Sequence, residues 1–341
     1  MEFTYLLGVD MSRDWFHVCL MDKNFNVVYE GQVVNRTDQI FEFISTLLKE
    51  QHIADINRVF MCMEHTGLYI QNLVRAWSLK GGRLAVISAT KISNRLAGPQ
   101  GWIEKADYLD ARRIAEHGIR FSDKLACFKM KSPALELLRR LQRQRKRLLT
   151  VLHQLEVPVV ESKGFDSTAI VDQVQLNQVD SVQTLKEDLK KVDKLLRETI
   201  KQDPYLYRIF KLMSSVEGIG PITSIEVLIA TEGFTKFTPA QAKKFSRYAG
   251  VVPMEHTSGS SIRKRSRTTK RANGRLKSLL TMGALSLTNT PGELGAYYRR
   301  KILEGKQHLS VINAMRNKLI LRIFAVVRND TIYVPDFEYM Q

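Results

Sequence analysis

The sequence predicts an α/β unit followed by a mainly helical, strongly basic unit. Three observations predict this division. Short runs of aliphatic, aromatic and β-branched residues alternate with helix-period runs through residues 1–125. Leucines at helical spacing run through the segment that follows. Residues 1–125 hold 15 Lys+Arg and 15 Asp+Glu, so the whole formal net charge of +17 falls in residues 126–341.

The N-terminal unit begins with a meander of strands and continues as alternating helix and strand. The turn-forming stretches DMSRD and DKN separate the first three runs. The helices are predicted from apolar residues at helical period. Predicted strands are 3–9, 15–21, 25–34, 58–63 and 83–88, and predicted helices are 37–50, 68–79 and 105–117. Hairpin strands followed by alternating helix and strand predict a mixed sheet.

Four acidic residues stand where one site can form. Asp10 ends the first strand and Glu64 the fourth, and open α/β sheets carry their sites at the carboxyl ends of parallel strands. Asp107 and Asp110 are three apart on a helix, so they share one face. Carboxylates brought together repel unless divalent cations hold them, which suits Mg²⁺ (or Mn²⁺). Each acid alone is more simply a turn, cap or solvated residue, so the prediction rests on the set.

The middle segment predicts two long helices. Residues 133–157 and 181–200 carry leucine stripes, the second with a heptad rhythm, and 158–180 is the predicted connection. We expect a coiled coil, packed either within the chain or across a dimer. The first helix also has an arginine-rich face, where Arg139 and Arg143 are candidate nucleic-acid contacts.

The stretch SSVEGIGPITSIEVLIA, residues 214–230, predicts a helix, a tight turn and a second helix. Gly218 and Gly220 permit a turn whose N–H groups, with the following helix N-terminus, can hold a phosphate. The stretch resembles the helix-hairpin-helix element of many DNA-binding proteins. The simpler alternative is a glycine-rich link between two helices.

A serine-rich, basic segment lies between two further predicted helices. The first helix covers 239–248 and ends at Gly250, and the second begins at Leu276 with Leu279, Leu280 and Met282 on its apolar side. Between them, HTSGSSIRKRSRTTKRANGR (256–275) contains no acidic residue, and we predict a loop fixed at both ends.

Serine and arginine residues close together in this loop could support nucleophilic attack on a phosphate. A serine hydroxyl is a weak nucleophile until a base, a metal or a positive field stabilises its alkoxide. Guanidinium groups beside it can stabilise charge on a DNA phosphate. The candidate contacts are Arg263, Lys264, Arg265, Arg267, Lys270, Arg271 and Arg275.

The motifs LLGVDMS, MEHTGLY and KADYLDARRIAEH resemble the DEDD signature of the RuvC-like transposase domain of one group of bacterial insertion sequences. That family includes the Piv-type DNA invertases and the bridge-RNA-guided recombinases. The resemblance implies a ribonuclease-H-like fold with the first and fourth strands adjacent, and an acidic tetrad at Asp10, Glu64, Asp107 and Asp110. It also implies a coiled coil used for assembly.

The same resemblance covers the serine cluster. In AGVVPMEHTSGSS the family's catalytic serine falls on Ser258, and Ser260 and Ser261 are lesser candidates. The chain departs from the family pattern after the loop, since Ala272 stands where glycine is expected and Gly274 follows two residues later.

The resulting prediction is an insertion-sequence transposase, a recombinase that cleaves and rejoins DNA strands. Its expected domains are a RuvC-like domain at 1–125, a coiled-coil assembly segment at 130–205 and a mainly helical, serine-bearing domain at 206–341. Two alternatives stay open: a metal-dependent, junction-resolving nuclease in which water attacks, and a nucleic-acid-binding protein without catalysis. An actin-like ATPase is disfavoured because no second phosphate-binding hairpin or Gly-Gly adenosine motif follows in 126–341.

The expected partners are donor and target DNA, a structured guide RNA implied by the family, and further copies of the chain as a dimer or tetramer. The charge of +17 is compatible with DNA and RNA alike. Cys19, Cys62 and Cys127 are far apart and form no metal-type pair. With no signal-like start and no transmembrane-length apolar run, a cytoplasmic bacterial protein is expected, without membrane partners.

Overall fold

The computed structural model describes residues 3–87, 107–128, 130, 132–258, 262–268 and 272–335, with the backbone alone at 107, 254–258 and 262–267. The chain forms two compact units, Met1–Met130 and Lys131–Gln341. The second unit contains both the 130–205 and the 206–341 segments. Their separation into two domains stays a prediction.

The first unit is built on a five-stranded mixed sheet. Strands β1 (Tyr5–Met11), β2 (Trp15–Asp22) and β3 (Val27–Val34) form an antiparallel meander, and β4 (Val59–Glu64) and β5 (Arg83–Ile87) are parallel to β1. The strand order is β3-β2-β1-β4-β5. The first and fourth strands are therefore adjacent, as the resemblance implies.

Helices cover both faces of this sheet because the central strands are apolar on both sides. On one face, α1 (Thr37–Glu50) and α2 (Gln71–Leu79) share a core with Leu7 and Met61. On the other face, α3 (Asp107–Arg120) packs on Leu6 and Cys62. Cys19 and Cys62 are buried in the strands, whereas Cys127 is exposed.

The second unit begins with two long antiparallel helices, α4 (Pro133–Ser162) and α5 (Thr168–Gln202). Arg145 pairs with Asp193 at 2.6 Å near one end, and Lys186 pairs with Glu156 at 2.7 Å further along. The predicted connection over 158–180 is wrong. The helices continue through most of it, Pro158 lies inside α4, and only residues 163–167 join them.

The remaining helices surround one apolar core. They are α6 (Pro204–Ser214), α7 (Pro221–Thr231), α8 (Ala242–Tyr248), α9 (Gly274–Ser286), α10 (Glu293–Leu303) and α11 (His308–Asn329). Met282 was expected on the apolar side of α9, but its side chain is 64% exposed. None of the helices in the described part of the chain is long and apolar enough to span a membrane.

The predicted loop between α8 and α9 contains a β-hairpin. Strands β6 (Met254–Ser258) and β7 (Ile262–Arg267) pair antiparallel as a separate two-stranded sheet. A loop was predicted because these strands are polar and charged. They carry no apolar alternation of the kind that marks a half-buried strand.

Candidate active site

Strand register brings Asp10 and Glu64 together. Val9 of β1 pairs with Met63 of β4 in parallel, so the next residue on each strand, Asp10 and Glu64, are neighbours at the sheet's carboxyl edge. Both residues are partly exposed. Two of the four predicted acids therefore lie side by side where the sheet opens to solvent.

Helix α3 carries the other two acids toward the same edge. A Cβ built on Gly8 would lie 2.2 Å from the carbonyl oxygen of Ala111, so the helix backbone rests directly on β1 at this glycine. A Cβ built on Gly118 would lie 2.5 Å from Leu6. Since Gly118 lies over Leu6 and Ala111 over Gly8, α3 runs antiparallel to β1. Its first turn therefore lies toward Asp10.

That first turn contains Asp107 and Asp110. The Asp110 carboxylate accepts a hydrogen bond from Arg113 at 2.7 Å. Among the side chains that the structure describes, which do not include Asp107, no group of three or more His, Cys, Asp or Glu is close enough to hold a metal. The backbone therefore places the ends of β1 and β4 and the first turn of α3 at the same edge of the sheet. A metal site formed by all four carboxylates stays a prediction.

An ion pair fixes α3 laterally on the sheet. Arg112 of α3 binds both carboxylate oxygens of Glu30 on β3, one of them at 2.6 Å. The hydrogen bonds from Arg112 lower the pKa of Glu30. Burial, together with a hydrogen bond to Glu30, raises the pKa of the Cys19 thiol to about 12. Glu30 was not among the predicted residues, since an acid on an edge strand ordinarily faces solvent.

The loops at the acidic edge are tied together by Asn35. Its side-chain amide donates to the carbonyl oxygens of Ser12 and Arg13 at 3.3 Å and of Tyr69 at 3.0 Å. The first two belong to the β1–β2 turn, and the third belongs to the segment after β4. The turns that follow Asp10 and Glu64 are therefore held to each other.

Ser258 is the last residue of β6, immediately before the turn of the hairpin. It lies opposite Ile262, while Thr257 lies opposite Arg263 and His256 opposite Lys264. Residues alternate between the two faces of a strand, so Lys264 belongs to the same face of the hairpin as Ser258, and Arg263 to the other. Arg265 shares the face of Arg263, whereas a register shift between Met254 and His256 places Arg267 opposite Met254. Lys270 and Arg271 lie outside the described residues.

The two ends of the hairpin segment meet at Gly250 and Ala272. A Cβ built on Gly250, whose φ is +68°, would lie 2.3 Å from the Ala272 methyl carbon. The Asn273 amide donates to the Tyr248 carbonyl at 3.1 Å, and the Asn273 side chain caps α9 at Leu276. The alanine that departs from the family pattern therefore packs where Gly250 leaves space.

Comparison with known proteins assigns both units. Residues 7–156 match a family described as "Transposase", the DEDD transposase domain of IS110 elements, and residues 210–299 match the "Transposase IS116/IS110/IS902 family". The chain is a DNA transposase, similar over both matched stretches to the IS110 and IS116/IS110/IS902 transposases. The predicted class of enzyme is confirmed, and so is the predicted similarity to DEDD transposases of insertion sequences. The catalytic serine and the guide RNA stay predictions.

The transposase is similar along its whole length to two inverting proteins. It is 25% identical to the pilin gene-inverting protein of Moraxella bovis over 97% of both chains, and 24% identical to that of Moraxella lacunata over the same shares. It is also 25% identical to an uncharacterised insertion element IS116 protein of Streptomyces clavuligerus, over 44% of this chain and 36% of that protein.

Among solved structures, the transposase matches Thermus thermophilus RuvC in complex with a Holliday junction substrate. The match covers 37% of this chain and 99% of that one, at 12% identity and a TM-score of 0.29. A TM-score this low supports no conclusion, and the fold rests on the sheet topology described above.

In the turn that contains Gly218 and Gly220, one of the two glycines is required for helix packing. Gly218 has φ +80°, and a Cβ built on Gly283 of α9 would lie 2.1 Å from its carbonyl oxygen. Gly220 caps α7, is exposed, and has nothing within 4 Å of a built Cβ. Of the two candidate phosphate contacts, Gly220 is therefore the accessible one. A helix-hairpin-helix role stays a prediction.

Two of the candidate nucleic-acid contacts are engaged inside the second unit. Arg275 lies 2.9 Å from the carboxylate of Glu226 and donates to the Gln142 side chain at 2.7 Å, so it joins the start of α9 to α7 and α4. Arg139 lies 3.8 Å from Glu232. Arg143, by contrast, is exposed on α4. These contacts give Arg275 a structural role that the sequence did not reveal.

Proposed function

We propose that this transposase moves an insertion sequence by cutting and rejoining DNA strands, with an acidic metal site and Ser258 both required. One observation supports the proposal: the register of β1 with β4 makes Asp10 and Glu64 neighbours, and the docking of α3 on Gly8 turns the end of α3 that bears Asp107 and Asp110 toward the same edge of the sheet. Acids that served only as caps or solvated residues would have no reason to lie at the ends of three elements that meet at one edge.

Asp10, Glu64, Asp107 and Asp110 are the residues that would hold Mg²⁺ (or Mn²⁺). The donor set is all carboxylate oxygen, which fits a hard divalent ion. The Glu64 side chain makes no hydrogen bond or ion pair within the described part of the chain, so its oxygens are available. When bound, such an ion would activate the attacking oxygen and neutralise charge on the leaving oxygen. The four carboxylates would hold the ion, and Asn35 holds the surrounding turns together.

Ser258 is proposed to form a transient covalent link with the DNA. Its Oγ attacks a backbone phosphorus, an Oγ–P bond forms, and one bond from that phosphorus to a deoxyribose oxygen breaks. The serine proton passes to solvent or a base, and the leaving oxygen takes up a proton. Attack by a hydroxyl of the second strand reverses these steps and restores the serine. No oxidant or energy source is consumed, because one phosphodiester replaces another.

Donor and target DNA are the proposed substrates, with a structured guide RNA as partner. The excess positive charge of residues 126–341 supports binding to phosphate chains. A dimer or tetramer is proposed to assemble through α4 and α5. Several large apolar side chains near the tip of that helix pair are exposed, among them Val160 at 64%, Phe165 at 94% and Leu176 at 66%. Because the acids and the serine belong to different units, an active site composed from two copies is compatible with this assembly.

The second candidate is a junction-resolving nuclease in which water attacks. It is favoured by the hairpin register, since Arg263 and Arg265 fall on the face opposite Ser258. In that mechanism the serine would only bind phosphate.

Two matched pairs of variants separate the candidates in a recombination assay with Mg²⁺. Ser258→Ala is expected to abolish joining and any protein–DNA adduct, whereas Ser260→Ala keeps both. Asp107→Asn is expected to abolish cleavage, whereas Asp123→Asn, an exposed acid beyond α3, has no effect. Normal joining by Ser258→Ala would refute the serine mechanism and favour the nuclease. Normal cleavage by Asp107→Asn would refute the acidic site.

A further inference from the structure

Within the described residues, Arg316 of α11 is a buried cation without an anionic partner. The residue is 92% buried, at 8% relative exposure. In the described part of the chain its one hydrogen bond goes from Nη1 to the neutral side-chain oxygen of Asn313, at 3.2 Å, and its Nε atom is buried with no partner. A buried charge of this kind is costly unless it is paired.

Arg322, on the same helix, shows how a buried arginine is normally accommodated. Its side chain is 13% exposed and is paired with the carboxylate of Glu293. Its guanidinium also lies 5.0 Å from the centre of the Tyr333 ring. The difference between the two arginines is therefore the missing anion at Arg316, since both side chains are largely withdrawn from water.

Arg316 lies at the base of the hairpin that carries Ser258. Asn313, which accepts its hydrogen bond, donates to the carbonyl oxygen of Val251 at 2.6 Å. Val251 in turn donates its amide to Ser246, whose Oγ is also buried without a partner. Two unpartnered polar groups thus flank the residues that lead into β6.

We propose that Arg316 binds a backbone phosphate of the DNA strand held at the Ser258 hairpin. A phosphate oxygen would supply the missing anion and accept the unused N–H groups of the guanidinium. That the ligand is DNA rests on the proposed function. The observation that Arg316 has no anionic partner among the described residues does not. Burial also lowers the pKa of Arg316, in agreement with an uncompensated charge.

The test compares Arg316→Met with Arg322→Met in the full chain. Without DNA, Arg316→Met is expected to raise the unfolding temperature, by about 2 to 4 °C, because it removes an unpaired buried charge. Arg322→Met is expected to leave it unchanged or lower it, because it breaks a pair. Circular dichroism melts measure both shifts.

Binding is then measured with a mixed-sequence DNA duplex in EDTA, so that failure of the cleavage chemistry does not affect the result. Arg316→Met is expected to weaken binding about tenfold or more. It is also expected to reduce the slope of log affinity against log salt by about 0.9, the value of one phosphate contact. Arg316→Lys, which keeps the charge and loses the fork, is expected to keep the slope and lose part of the affinity.

Three results would overturn the proposal. One is an Arg316→Met protein that melts lower than the wild type or fails to fold, which would assign the arginine a structural role. Another is an unchanged affinity and salt slope for DNA. The last is a loss of affinity confined to an RNA duplex of the same sequence. The two proposals are tested by different readouts. Ser258→Ala tests the serine mechanism through recombination, and Arg316→Met tests the phosphate contact through DNA affinity.

Discussion

The contact between Gly8 and α3 allows a direct test of how the acidic edge is assembled. Replacing Gly8 by alanine adds one methyl group to β1. That carbon would lie 2.2 Å from the carbonyl oxygen of Ala111 and 2.5 Å from the backbone nitrogen of Ala115. Both atoms belong to helix backbone, so no side-chain rotation can relieve the clash and α3 must move off the strand.

The expected cost follows from overpacking. Inserting a methyl group into a packed interface costs about 1 to 3 kcal/mol when side chains and backbone must shift to make room. For a unit of this size, each kcal/mol lowers the unfolding temperature by roughly 4 °C, so Gly8→Ala is expected to lower it by roughly 4 to 12 °C. Asp107 and Asp110 move with the helix, and a displacement of about 1 Å at a catalytic site costs about 100-fold in rate.

Tryptophan fluorescence isolates this effect from the second unit. The chain has 3 tryptophans, Trp15, Trp77 and Trp102, all within the first 130 residues, so their emission reports on the first unit alone. The matched control is Gly31→Ala on β3, where the new carbon would meet only the movable Tyr29 side chain, with its hydroxyl at 2.5 Å. If Gly8→Ala melts and cleaves DNA like Gly31→Ala, the docking of α3 on β1 is not what places the acids.

Two further predictions concern the second unit. Burial raises the pKa of Glu226 despite the opposing effect of Arg275, so its contribution to stability is fully present below its ordinary pKa of 4.5 and is lost as pH rises through the raised value. Glu226→Gln is expected to remove this decline of the urea unfolding free energy as the pH rises above 4.5, and an unchanged slope would contradict the assignment. Gly283→Ala would place a carbon 2.1 Å from the Gly218 carbonyl and is expected to destabilise the unit by about 1 to 3 kcal/mol in thermal melts. Gly164→Ala, with nothing within 4 Å, is the control, and equal stability of the two variants would contradict the packing of this turn.

The sequence predicted the first unit well because its elements are periodic. Strands β1 to β5 lie within two residues of their predicted bounds, and α1 begins and ends as predicted, at Thr37 and Glu50. Buried apolar runs and helical stripes are signals of local composition, so they survive without knowledge of the fold. The adjacency of β1 and β4 came from the family resemblance and is confirmed by the sheet order.

The elements that were missed lack such a signal. The β6–β7 hairpin is polar on both faces, and the extension of the helix pair through 158–180 contains a proline and many polar residues. In both cases the usual markers of a loop occur within regular structure. The polar residues of 158–180 do not exclude helix, because a helix satisfies its own backbone hydrogen bonds even where its side chains face solvent.

The candidate site shows the same division. Asp10, Glu64 and the helix bearing Asp110 were placed from sequence, because strand ends and helix spacing are local properties. The partners of Arg275, like the ion pair of Glu30 with Arg112, depend on which elements pack together. The close docking of α3 on β1 could have been predicted from small residues on both elements. They are Gly8 on the strand and Ala111, Ala115 and Gly118 on the helix.

The central claim is that one chain joins an acidic site and a serine nucleophile in the same reaction. The most direct measurement is peptide mass spectrometry of the protein after reaction with donor DNA and Mg²⁺. The account predicts a nucleotide attached to the peptide that contains Ser258, and its loss in Asp10→Asn. Joined DNA without any protein adduct, or an adduct on another residue, would contradict it.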